Sequence, residues 1–263
     1  MKEKLTIVKI GGNIIDNDES LKKFVSVFSK ISGKKLLVHG GGKVATKTAA
    51  ALGIETKILD GRRITGDEMI DVAVMTYAGV VNKKIVAMLH KEGITSIGLT
   101  GADGNAILAE KRPIVNGIDY GWVGDVKEVN GPFLRSLIRD RMLPVMCALT
   151  HDGNGHMLNT NADTIANEVA ITLSSYYEVV LNYCFELKGV MKDIMDPASL
   201  IKEIDLDHYH QLKIEGVVAD GMIPKLDNAF DAIESGVSRV NILNVDSLKQ
   251  LDNKDYNEFT TLH

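Results

Sequence analysis

Aromatic side chains are scarce in this chain of 263 residues: Phe, Trp and Tyr make up 5% of it. A surface that stacks successive nucleobases needs several of them, so recognition of single strands by stacking is disfavoured. Positive charge is not in excess either. The 30 lysines and arginines are outnumbered by 35 acidic residues, and a net charge of -5 gives no general attraction to nucleic acid or to an anionic membrane. There are two cysteines, Cys147 and Cys184, far apart in apolar segments. That is too few for a disulfide framework or a cysteine-built zinc site, and fits two small core hydrophobes in a reducing compartment. The seven histidines show no ligand spacing; His151 and His156 sit in a Gly/Asp turn. No apolar run reaches membrane-spanning length. The opening MKEKLTIVKIGG enters a strand-like run at once and lacks a signal-peptide profile, so a cytoplasmic protein is expected. No repeat, low-complexity tract or evident linker interrupts the chain.

What is present is an ordinary globular balance, 45% hydrophobic and 25% charged. Short apolar, β-branched runs at 5–10, 36–38, 94–99, 143–149, 178–181 and 239–243 predict strands. Several are continuous rather than alternating, as strands covered on both faces are. Between them, helical patterns occupy 20–31, 44–52, 67–90, 131–139, 162–174 and 222–235, with hairpin-like pieces at 107–111 and 121–129. This alternation predicts an α/β protein, a three-layer αβα sandwich around a mostly parallel sheet. The polar, turn-rich stretch 192–207 with Pro197 is a candidate connection between two lobes. The end of the chain, 252–263, reads as a loose tail or a final edge strand.

Glycine-rich turns recur where predicted strands end. They are KIGGN (Lys9 to Asn13), HGGGK (His39 to Lys43) and GLTGADGN (Gly98 to Asn105). Ligands of open α/β sheets bind outside the carboxyl ends of the strands, so three such turns suggest a shared anion site. HGGGK is not a P-loop, because Val44 follows Lys43, and it lacks the dinucleotide spacing. Lys9 is the unusual residue. An ammonium inside an apolar strand is costly, and its place before Gly11 and Gly12 would let it reach a phosphate held on backbone amides. In MLNTNADTIANEVA, Asn159, Asn161 and Asp163 precede a helical run; one helix cap needs only one of them. In ADGMIPK, Asp220-Gly221 marks a turn and Lys225 falls early in a helix.

The ordered set KIGGN, VHGGG, DGRRIT, GLTGADG, MLNTNAD and ADGMIPK resembles the amino-acid kinase family over nearly the whole chain, and most closely its acetylglutamate kinases. The resemblance implies one amino-acid kinase domain over 1–263. An N-acylglutamate-binding and dimerisation lobe would span 1–175 and a nucleotide lobe 176–263. It implies transfer of the γ-phosphoryl of ATP, supplied with Mg2+, to the side-chain carboxylate of an N-acylated glutamate in arginine biosynthesis. Under it, Lys9 contacts the phosphoryl group in flight, Gly11 and Gly12 form its turn, and Gly12 offers a backbone donor. Gly41 and Gly42 hold the substrate and its developing charge. Arg63 grips the α-carboxylate, Asn159 is a second substrate ligand, Asp163 orients the two lysines, and Lys225 serves the nucleotide side. No protein ligand of the metal is implied.

The segment LNYCFELKGVM departs from the family, which has a Thr/Ser-Asp pair where Asn182 and Tyr183 stand. The start of the chain at its first strand implies a homodimer insensitive to arginine. The acyl group stays open between acetyl and succinyl. A succinyl carboxylate would want a further cation, for which Arg62 and Lys111 are candidates near an acyl pocket formed by 63–67 and the chain around Ala78. Another kinase of the fold, or a catalytically silent binding protein, remain as rival readings.

Overall fold

The computed structural model describes residues 2–59, 61–193, 195–218, 222–251 and 258–263. The expected turn at Asp220-Gly221 and the first half of the 252–263 tail lie outside them. Eight strands form the main sheet. Their order is Glu203–Ile204, Thr260–Leu262, Arg239–Asn244, Glu178–Phe185, Lys4–Ile10, Lys34–His39, Leu143–Cys147 and Ser96–Leu99. The six strands from Arg239–Asn244 to Ser96–Leu99 run parallel. Thr260–Leu262 runs antiparallel to its neighbour Arg239–Asn244, and Glu203–Ile204 lies parallel to it at the edge.

Both faces of the sheet are buried, which is why its strands read as unbroken apolar runs. Within Lys4–Ile10, Leu5 and Ile7 point to one core and Val8 and Ile10 to the other. The first core is closed by the helices Ala162–Ser174 and Ile223–Glu234, through Ile165, Ala166, Leu226 and Phe230. The second is closed by Asp18–Ser29 and Asn82–Lys91, through Phe24, Phe28, Ile85 and Leu89. Cys147 and Cys184 are buried free thiols within these layers.

Four differences from the expected elements have local causes. The apolar run 143–149 divides: Leu143–Cys147 stays in the main sheet and Leu149–His151 joins a second, four-stranded sheet. Both sheets bury this stretch, so its hydrophobicity carries no sign of the change. The stretch 192–207 is no simple linker, since Leu200–Ile201 pairs with Val190–Met191 and Glu203–Ile204 joins the main sheet. It leads into a helix, Leu206–Ile214, that the pattern did not reveal. Thr260–Leu262 is the second strand from the edge, not the edge itself.

The long helix Asp67–Lys91 contains a π-helical stretch, Val74–Val81, where the wider turn re-aims its side chains. By length and composition it could cross a membrane, although polar and charged residues interrupt its apolar run; 44% of its apolar window is buried within the protein.

Candidate active site

The register of the parallel strands sets the site. Lys9 lies level with Val38 on one side and Tyr183 on the other, and Ile10 lies level with His39 and Cys184. The turns after Ile10 and His39 therefore leave the same edge of the sheet together. Gly11 N–H donates to the Cys184 carbonyl at 3.0 Å, which ties the first turn to the next strand.

Across from Lys9 the helix Ala162–Ser174 begins. Asn161 is its cap, its side-chain oxygen accepting from the Asp163 and Thr164 amides at 2.7 and 3.3 Å. Asp163 is thus free of capping duty and sits in the first turn, where the helix N-terminus favours a carboxylate. Its Oδ2 accepts from Lys225 Nζ at 2.5 Å, and its Oδ1 lies 2.6 Å from Lys9 Nζ. The Lys9 contact is off the line of a well-formed hydrogen bond, so it is chiefly Coulombic. Lys225 is delivered by the start of Ile223–Glu234, with Pro224 in the first turn as helix starts favour. Burial works against the charged forms of both Lys9 and Asp163. Burial lowers the Lys9 pKa more than Asp163 restores it. For Asp163 burial pushes up, but Lys9 and Lys225 together outweigh it and hold the carboxyl below its usual range.

The second turn is held from behind. His39 is fully buried; its Nδ1–H donates to the Gly40 carbonyl at 2.8 Å and its Nε2 accepts from Asn82 Nδ2 at 2.9 Å. Burial pushes this imidazole down to about 4, so it is neutral and structural. Gly41 faces the Tyr77 ring. A Cβ there would lie 2.4 Å from Tyr77 Cδ1, which no side chain tolerates. Arg63, in the short strand Arg62–Ile64, reaches in with Nη2 donating to the Gly42 carbonyl at 3.0 Å and to Thr46 Oγ1 at 2.8 Å. Its Nη1 is buried and has no hydrogen-bond partner among the described residues. A buried guanidinium N–H left unpaired is costly, and an incoming carboxylate would satisfy it bidentately.

These groups surround a cleft of about 370 Å³ lined by Gly12, Gly41, Gly42, Arg63, Tyr77 and Asn159, among others. Asn159 is fixed by its Nδ2 donating to Thr65 Oγ1 at 3.1 Å. Ala162, next to Asp163 in the chain, also lines the cleft, so the lysine–aspartate cluster adjoins it.

Residues 4–244 match the Amino acid kinase family. The chain belongs to the amino acid kinase family. It is 53% identical to the acetylglutamate kinase of Cytophaga hutchinsonii, over 96% of each chain. To that of Phocaeicola vulgatus it is 54% identical, over 91% of this chain and 93% of the other. Its fold is shared with the carbamate kinase from Giardia lamblia bound to AMP-PNP, at a TM-score of 0.67 and 15% identity over 99% of this chain and 98% of that one.

Lys9, Gly11, Gly12, Gly41, Gly42, Arg63, Asn159, Asp163 and Lys225 lie in the Lys9–Asp163–Lys225 cluster, the two turns or the cleft lining. The third glycine turn does not join them. Its glycines serve close packing: a Cβ on Gly98 would strike Asn82, and one on Gly101 the Ile107 carbonyl and Thr150. Asn182 is fully buried in the sheet, donating to the Ile7 carbonyl at 3.0 Å and accepting from Asn241 at 2.8 Å. It is a strand-locking amide. Arg62 lines the cleft, whereas Lys111 sits over the Trp122 ring, 4.8 Å from its centroid, beside another depression. Tyr77 and Thr46 were not legible as site residues, because an apolar helix and a surface-like helix turn give no such signal.

Proposed function

We propose that this kinase transfers the γ-phosphoryl group of ATP to the side-chain carboxylate of N-acetyl-L-glutamate, forming an acyl phosphate. The observation that carries the reading is one carboxylate, Asp163, held between two ammonium groups beside a cleft with an unpaired Arg63 N–H. A carboxylate oxygen attacks the γ-phosphorus, the bond to the β,γ-bridging oxygen breaks, and ADP leaves with the electron pair. The nucleophile is already an anion, so no general base is needed. What the loose transition state requires is fixed positive charge and positioning.

In this reading Arg63 takes the α-carboxylate, Asn159 a further substrate oxygen, and the backbone at Gly41 and Gly42 the reacting carboxylate. Lys9 and the Gly11-Gly12 turn meet the transferring phosphoryl group from one side and Lys225 from the nucleotide side, both aimed by Asp163. The acylglutamate lies in the 1–175 portion and the nucleotide mainly against 176–263. Mg2+ arrives with ATP, held by phosphate oxygens and water. A homodimer is expected; exposed Met75 and Val80 on the π-helical stretch offer apolar surface for it. Sedimentation tests this, and a stable monomer or hexamer refutes it.

Arg62 in the cleft lining favours a second reading, in which the acyl group is succinyl and its carboxylate meets that guanidinium. A panel of N-acetylglutamate, N-succinylglutamate, glutamate and aspartate, with the acyl phosphate trapped as a hydroxamate, separates the cases. Turnover of N-acetylglutamate is expected. Preference for the succinyl compound, abolished by Arg62→Ala, would establish the second reading, and silence with every N-acylglutamate would end both.

A further inference from the structure

Tyr183 stands where the kinase family's usual nucleotide-contacting pair begins, and nothing above uses it. It is 1% exposed, and its hydroxyl is buried with no hydrogen-bond partner among the described residues. Leaving a buried hydroxyl unpaired is costly, so such a group calls for a reason. Asp163 Oδ1 is also buried and, among the described residues, has the Lys9 ammonium at 2.6 Å but no well-aligned hydrogen bond. One of these atoms is a donor and the other an acceptor. Register sets Tyr183 beside the lysine that Asp163 pairs with. Tyr183 is paired with Lys9 across parallel strands, so both side chains stand on the same face. Tyr183 packs in the core that the Asp163 helix closes. The negative charge of Asp163 reaches the phenol, adding to burial in raising its pKa well above the usual value. The hydroxyl therefore keeps its proton and remains a donor at any working pH.

We propose that Tyr183 is a positioning residue: in the substrate complex its phenol donates a hydrogen bond to Asp163 Oδ1 and so holds Lys9 on the transferring phosphoryl group. The physical need arises when the phosphoryl group enters. Lys9 must then share its charge with phosphate oxygens, and Oδ1 loses part of its compensation. A neutral donor replaces it without adding a third cation that would compete with the nucleotide's metal. The charged groups acting on Asp163 are Lys9 from the adjacent strand and Lys225 from Ile223–Glu234; Tyr183 contributes a dipole only.

This inference rests on the roles assigned above to Lys9, Asp163 and Lys225, and its test separates the two. Tyr183→Phe keeps the ring and removes only the hydroxyl. Its thermal midpoint should match or exceed that of the parent, since an unpaired polar atom is gone. Its kcat should fall roughly tenfold, as for a lost hydrogen bond to a charged group, with both KM values within about twofold. The acid limb of the kcat–pH profile should move up by about one unit, because Asp163 loses a donor that favours its charged form. A merely structural tyrosine would leave that limb where it is. Unchanged kcat and an unmoved limb would overturn the proposal. Asp163→Asn is the control: if it retains full turnover, the assignment of the cluster itself fails, whatever Tyr183→Phe does. Should Tyr183→Phe not fold, 3,5-difluorotyrosine placed at position 183 keeps ring and hydroxyl while strengthening the donor. The acid limb should then move down, and an unmoved limb would again reject the role.

Discussion

The Lys9–Asp163–Lys225 cluster and the Arg63 cleft both present cations, yet they are built in opposite ways. The cluster carries its own counter-charge: Asp163 balances two ammonium groups at 2.6 and 2.5 Å, and its members are anchored in a central strand and two helix starts. The cleft is left incomplete. Arg63 spends Nη2 on the Gly42 carbonyl and Thr46 and leaves Nη1 unpaired. The contrast follows from what each must do. Charge that develops only in a transition state is best met by donors already aimed, with nothing left to reorganise. A substrate that must enter and leave is met by a group whose last valence only the ligand fills.

This contrast can be broken most severely at Lys9. Lys9→Met should lower kcat about a hundred- to thousandfold while both KM values change little, because the lost donor acts in the transition state. A large KM effect with kcat retained would place Lys9 in ground-state binding and erase the distinction. Arg63→Lys should show the reverse. Losing a bidentate fork is expected to raise KM for the acylglutamate roughly tenfold to a hundredfold, with the KM for ATP unmoved. Steady-state kinetics on each substrate separates these patterns.

The smallest effect sharpens the comparison from behind the cleft. His39 is neutral and buried, with a pKa of about 4 against an ordinary 6.5. Between those values the unfolded chain binds a proton that the folded one refuses, so unfolding free energy is lost as pH falls. From pH 7 to pH 5.5 the loss attributable to His39 is about 1 kcal/mol. Urea midpoints at the two values test it. His39→Gln should flatten the dependence, and an unflattened slope would remove His39 as its cause.

Much of this was legible in the residues. The strands were visible because burial on both faces makes them apolar throughout, and Lys9 stood out because it violates that rule. Asn161 and Asp163 could be told apart only as a surplus of caps; the structure shows which one caps and which is released. The third glycine turn resembled the other two because glycine serves close packing and ligand approach alike, and sequence does not distinguish them. The meaning of Asn182 was hidden for a similar reason, since an amide beside a site and an amide buried in a sheet are the same letter.

Sequence by itself determined the layered parallel fold and the family, and it singled out the charged residues proposed to do chemistry, because periodicity and ordered motifs are local properties. Only tertiary structure decided that Lys9, Asp163 and Lys225 share one point, that Tyr77 forces glycine at position 41, and that the Arg63 Nη1 and the Tyr183 hydroxyl lack partners among the described residues. Those facts depend on strand register and helix placement across most of the chain, and contact between residues so far apart leaves no trace in either neighbourhood alone.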